Sequence, residues 1–107
     1  MDSARGQHAA HWQAIVYVVL KSIGVPVNAE VQTGDGRIDM TVETPRDNYL
    51  VEFKLDRPAA EAMRQIHEKD YAARYALSPK RLTLVAISFS SEKRTIAEEL
   101  VEEIPGR

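Results

Sequence analysis

Seven residues, Arg37 to Glu43, alternate between two faces and lie between two clusters of turn-forming residues. That pattern commits the middle of the chain to antiparallel strands. Ile38, Met40 and Val42 fall on one face and Arg37, Asp39, Thr41 and Glu43 on the other, the period of two that a strand requires. Before this run, Thr33-Gly34-Asp35-Gly36 carries Gly at the first central position, as a type II′ hairpin turn needs. After it, Thr44-Pro45-Arg46-Asp47-Asn48 supplies a second turn. The flanking segments Val25 to Gln32 and Tyr49 to Leu55 read as the neighbouring strands, so a three-strand meander is predicted.

Helices are expected on both sides of the meander in sequence. From about Gln7 to Ile23, the residues Ile15, Val16, Val19, Leu20 and Ile23 recur at helical spacing, and Gly24 is a stop signal. A second helix is predicted from Ala59 to about Ala76, with Pro58 in its first turn and Asp56 or Arg57 near its cap. Arg81 to Ser90 then reads as a strand buried on both faces, because its apolar run is nearly continuous. The segment Ile96 to Ile104 stays open. Ile96, Leu100 and Ile104 lie four apart and propensity favours a helix, but a short edge strand fits as well. At 107 residues, one compact domain spanning 1–107 is expected. Cys is absent, which removes disulfides and thiolate metal sites. The polar start and the short apolar run Ala14 to Leu20 predict no membrane span, and the cytoplasm is the expected compartment.

Counting residues through the turns brings acidic side chains together. With Gly34 and Asp35 as the first loop, Glu30 falls opposite Asp39. With Pro45 and Arg46 as the second, Asp39 falls opposite Glu52; a shift of two residues would bring it opposite Lys54 on the same face. A row of Glu30, Asp39 and Glu52 results, with Lys54 beside it. Like charges opposed in a sheet destabilise it, and a divalent cation would turn that cost into a ligand set. A solvated sheet face with incidental charges is the competing reading.

These residues resemble the PD-(D/E)XK nuclease superfamily. Asp39 matches the motif aspartate and Glu52-Phe53-Lys54 the (D/E)XK triplet. Gly36-Arg37-Ile38-Asp39, the stretch Gln65 to Tyr71 and the strand up to Phe89 further resemble the nuclease-like domain found C-terminal in bacterial AAA-ATPase-like proteins. The resemblance implies an α/β fold with a restriction-endonuclease-like core: helix, three-strand meander, helix and strand, forming a mixed central sheet flanked by helices. It implies that Asp39 and Glu52, with the Phe53 carbonyl, hold Mg²⁺ or Mn²⁺, and that Lys54 positions or activates the attacking water. Gln65 would face the site and Tyr71 would sit near the substrate. Two departures stand out: Ile38, not proline, precedes Asp39, and the first helix carries no acid, a gap Glu30 would fill. The ATPase part of those proteins has no counterpart in these 107 residues, so no energy-coupled role is expected of them.

The expected activity is metal-dependent phosphodiester hydrolysis, on DNA. A binding or regulatory module that keeps the fold without activity is the alternative. Net charge is -2, which weakens generic nucleic-acid affinity. Residues 45–95 nevertheless carry a local +3 between acidic ends. Arg64, Lys69, Arg74, Lys80 and Arg81 could track a phosphate backbone, or simply form a solvated face. His8 and His11 share a helix face but lack a third zinc ligand nearby. A homodimer is also expected of so small an α/β domain.

Overall fold

A computed structural model describes residues 13, 15–17, 20, 21, 24–33, 36–69, 75 and 78–104; for 30–33 and 36 the backbone alone is described. Its elements are β1 (Val27–Thr33), β2 (Gly36–Glu43), β3 (Asp47–Leu55), a helix (Ala59–Glu68), β4 (Arg81–Ser90) and β5 (Thr95–Ile104). They form one five-stranded sheet in the order β1-β2-β3-β4-β5. β3 and β4 run parallel and every other pair is antiparallel, so the sheet is mixed as expected. A parallel pair needs a crossover, and the Ala59–Glu68 helix supplies it. Among the described residues no helix is long and apolar enough to cross a membrane.

Both hairpin registers follow the turn count. Thr33 pairs with Gly36 and Glu43 with Asn48, which leaves Pro45 and Arg46 at the centre of the second turn. That turn closes through the Thr44 N–H donating to the Asp47 carbonyl (2.8 Å) and the Asp47 N–H donating to Thr44 Oγ1 (3.0 Å). The helical residues near the N-terminus end at Gly24 in a Schellman pattern. Gly24 sits at φ 84°, its N–H reaches the Lys21 carbonyl, and the Val25 N–H reaches the Leu20 carbonyl.

Apolar residues cover both faces of the sheet. Val27, Met40, Val51, Phe53, Leu55 and Phe89 form one cluster, joined by Val16, Tyr17 and Leu20 from the N-terminal helical residues. Phe53 and Phe89 stack there, 5.7 Å between ring centroids. On the opposite face Leu50, Leu82 and Leu84 pack with Ile66 and Tyr75, while Ala59 and Ala62 press close to Ala86. Each fully buried Leu or Ile is worth about 1.5–3 kcal/mol.

Three expectations change and one open segment is decided. Met40 and Ile38 share a strand parity, yet Ile38 packs in the cluster with Leu50 and Ile66 while Met40 packs in the one with Val51 and Phe53. The second helix ends at Glu68, short of Ala76, because Lys69 is already extended (φ -90°, ψ 135°). Pro58 is the N-cap rather than a first-turn residue and offers no side-chain cap; the Ala59 N–H donates instead to Glu98 Oε1 of β5 (2.9 Å). Of the two readings left open for the tail, Thr95–Ile104 takes the edge strand, since it pairs with β4 from Leu82 to Ser90.

Candidate metal centre

The site begins where the β2–β3 ladder stops. Regular pairing runs from Glu43↔Asn48 to Met40↔Val51, and the next two residues are Asp39 and Glu52. Here the backbone bonds to side chains. The Asp39 N–H donates to Glu52 Oε1 (2.9 Å) and the Phe53 N–H donates to Asp39 Oδ2 (3.0 Å). The Asp39 carbonyl accepts from Gln13 Nε2 (3.0 Å). Charge-assisted bonds of this kind are short and strong, so each carboxylate is held by the backbone of the other strand.

Glu52 is only 3% exposed. Burial pushes its carboxyl pKa up, as does the adjacent Asp39 charge; the Asp39 N–H and Lys69 oppose the rise without cancelling it. Lys69 Nζ lies 3.0 Å from Glu52 Oε1. A cavity of about 350 Å³ opens beside this pair, lined by Gln13, Arg37, Ile38, Asp39 and Lys69.

Lys54 shares the Glu52 face, and its Nζ lies 3.7 Å from Glu61 Oε2 on the helix. Arg57 clamps the same carboxylate (Nε to Oε2, 2.6 Å) and lowers its pKa, mainly through that hydrogen bond. Gln65 is half-buried on the helix. Helical spacing sets it one turn beyond Glu61.

The predicted site residues thus divide. Asp39, Glu52 and the Phe53 backbone converge directly, and Lys69 joins them. Lys54 shares the Glu52 face and is engaged by Glu61, and Gln65 is half-buried on the helix one turn beyond Glu61. Glu30 lies on β1 between the pairs Ala29↔Met40 and Val31↔Ile38, as the turn count requires, but its side chain is outside the described residues. Tyr71, Arg74, His8 and His11 are also outside them. Lys80 and Arg81, considered as phosphate contacts, pair with Glu43 (3.9 Å) and Asp47 (2.8 Å). His67 meets Glu102 across to β5 (2.9 Å).

Sequence reasoning missed Gln13. Its signal was available: Gln13 shares a helical stripe with Val16 and Leu20, and a polar residue on a buried stripe needs a partner. Glu61 as the partner of Lys54 had no such signal.

Among the described residues no three His, Asp or Glu side chains gather. Two carboxylates do, and that set suits a hard cation. Mg²⁺ commonly takes one or two carboxylates and keeps several waters. The strain on Glu52, a buried carboxylate beside another, is of the kind a divalent cation relieves.

The comparisons agree with this geometry. The family profile of the PD-(D/E)XK nuclease superfamily matches residues 7–99. An uncharacterised protein from the vnfD 5′ region of Azotobacter chroococcum mcd 1 is 31% identical over 100 residues, covering 92% of this chain and 19% of that protein. The chain therefore spans about a fifth of the length of that curated relative. No solved structure matches the chain. With the profile covering most of its length and the aspartate and Glu-x-Lys carboxylates facing one another, the chain belongs to the PD-(D/E)XK nuclease superfamily.

Proposed function

We propose that this domain is a divalent-metal-dependent nuclease acting on DNA. The convergence of Asp39 and Glu52 at the opening of the β2–β3 ladder carries the proposal. Asp39, Glu52 and the Phe53 carbonyl would hold Mg²⁺ or Mn²⁺. When bound, such an ion polarises a phosphate oxygen and lowers the pKa of a bound water. Asp39 and Glu52 enter that role already oriented by backbone donors, so little ordering remains to be done on binding. Lys54 brings a positive charge to the same sheet face and offsets charge building on the phosphate. Gln65, half-buried on the helix one turn beyond Glu61, would orient a water or a phosphate oxygen. Membership of a nuclease superfamily supports a phosphodiester substrate.

Nicking of plasmid DNA should require Mg²⁺ or Mn²⁺ and fall at least about a hundredfold in Asp39→Ala and in Lys54→Ala, the range in which loss of a charge-stabilising group is felt. Activity that survives both changes sinks the mechanism. One observation favours the alternative, a binding or regulatory module without activity: Lys54 is engaged by Glu61. Calorimetry with Mn²⁺ separates the two readings. No binding at millimolar metal favours the module.

A further inference from the structure

We propose that Lys69 is a built-in counter-cation of the metal centre: its ammonium holds Glu52 in the metal-free protein and competes with the divalent ion for that carboxylate. This rests on the reading of Asp39 and Glu52 as metal ligands. Lys69 Nζ is 3.0 Å from Glu52 Oε1, the oxygen that also accepts the Asp39 N–H. Both contacts draw on lone pairs of the oxygen that faces Asp39, where a shared metal would need one.

The placement of Lys69 is built into the backbone. The helix stops at Glu68, and the extended Lys69 aims its side chain at β3 instead of continuing around the helix surface. That side chain is only 20% exposed, so it is packed in place. A buried carboxylate beside a second one is costly without a cation. Lys54 does not serve here, because its ammonium is drawn to Glu61. Lys69 also lines the cavity next to Asp39 and Arg37. Released from Glu52, its charge stays within that cavity. Lys69 therefore sets how tightly the site takes metal, and its release accompanies metal entry.

Mn²⁺ binding, measured by calorimetry and by electron paramagnetic resonance of the free ion, tests this without reference to cleavage. Lys69→Met should bind Mn²⁺ about tenfold more tightly than the natural protein, the factor that about 1.4 kcal/mol of lost competition corresponds to. Lys69→Arg, which keeps the charge, should stay near the natural affinity. A second measurement uses the unaltered chain: Mn²⁺ should raise the rate at which Lys69 is acylated by an amine-reactive ester, read by mass spectrometry, relative to Lys93. An unchanged or weaker Mn²⁺ affinity in Lys69→Met, or an unchanged acylation rate, overturns the counter-cation role and leaves the metal centre standing. If neither protein binds Mn²⁺, both the role and the metal reading fall.

Discussion

Asp39 shows how much one residue can carry. Its N–H, carbonyl and carboxylate each bond outside the sheet ladder, to Glu52, Gln13 and Phe53. The pair Asp39–Glu52 was legible in the sequence because strand parity and turn length fix which residues oppose. The sequence marks Gln13 as needing a partner but not which one, and it does not link Lys69 to Glu52, because the partners lie 26 and 17 positions away and no local rule joins them. The raised pKa of Glu52 gives a test with a definite sign. A carboxyl whose pKa is higher folded than unfolded binds its proton more tightly in the folded state. Its contribution to stability is therefore greatest at low pH and is lost as pH rises through the folded pKa. In EDTA, Glu52→Gln should unfold at higher urea than the natural protein at pH 7. The gap should close on acidification below the ordinary carboxylate range. A less stable Glu52→Gln at pH 7 would show that the Lys69 ion pair outweighs burial.

Secondary structure elements in this fold borrow their ends from one another. The Ala59–Glu68 helix begins at a proline that offers no side-chain cap, and Glu98 of β5 reaches across to its first N–H. A carboxylate there satisfies an orphan donor and meets the positive end of the helix. Glu98→Ala should therefore cost about 1 kcal/mol and lower Tm by several degrees, while leaving the Asp39–Glu52 pair intact. Circular dichroism melts would check it. The same strand explains why its own assignment was open. Leu100 and Ile104 lie four apart, a spacing that keeps one face in a helix and also in a strand. As a strand, Leu100 sits opposite Ala86 and Ile104 opposite Leu82. A register shift at Ser88/Phe89 carries Ile96 opposite Phe89. What decided the matter was the edge of β4, whose backbone donors and acceptors β5 pairs.

At the scale of the whole molecule, metal binding and folding should be coupled. An ion that binds only the folded chain stabilises it by mass action, about 2.7 kcal/mol at a hundredfold excess over Kd. Mn²⁺ should thus raise Tm in proportion to the logarithm of its concentration, and Glu52→Ala should abolish the rise. A rise that persists in Glu52→Ala places the ion elsewhere. The acidic β5, with Glu98, Glu99, Glu102 and Glu103, keeps that edge of the sheet unsuited to a nucleic-acid backbone. The sequence by itself determined the meander, the shared face of the acidic residues, and the doubly buried β4. Those follow from alternation, turn residues and apolar runs, which act over a few positions. Only the tertiary structure decided that Ile38 and Met40 pack in different clusters, that the helix ends at Glu68 and that the tail is a strand. It also brought Gln13 and Lys69 to the carboxylates. Each of these depends on a partner distant in sequence, and the free energy of pairing buried backbone and charge overrides local preference there.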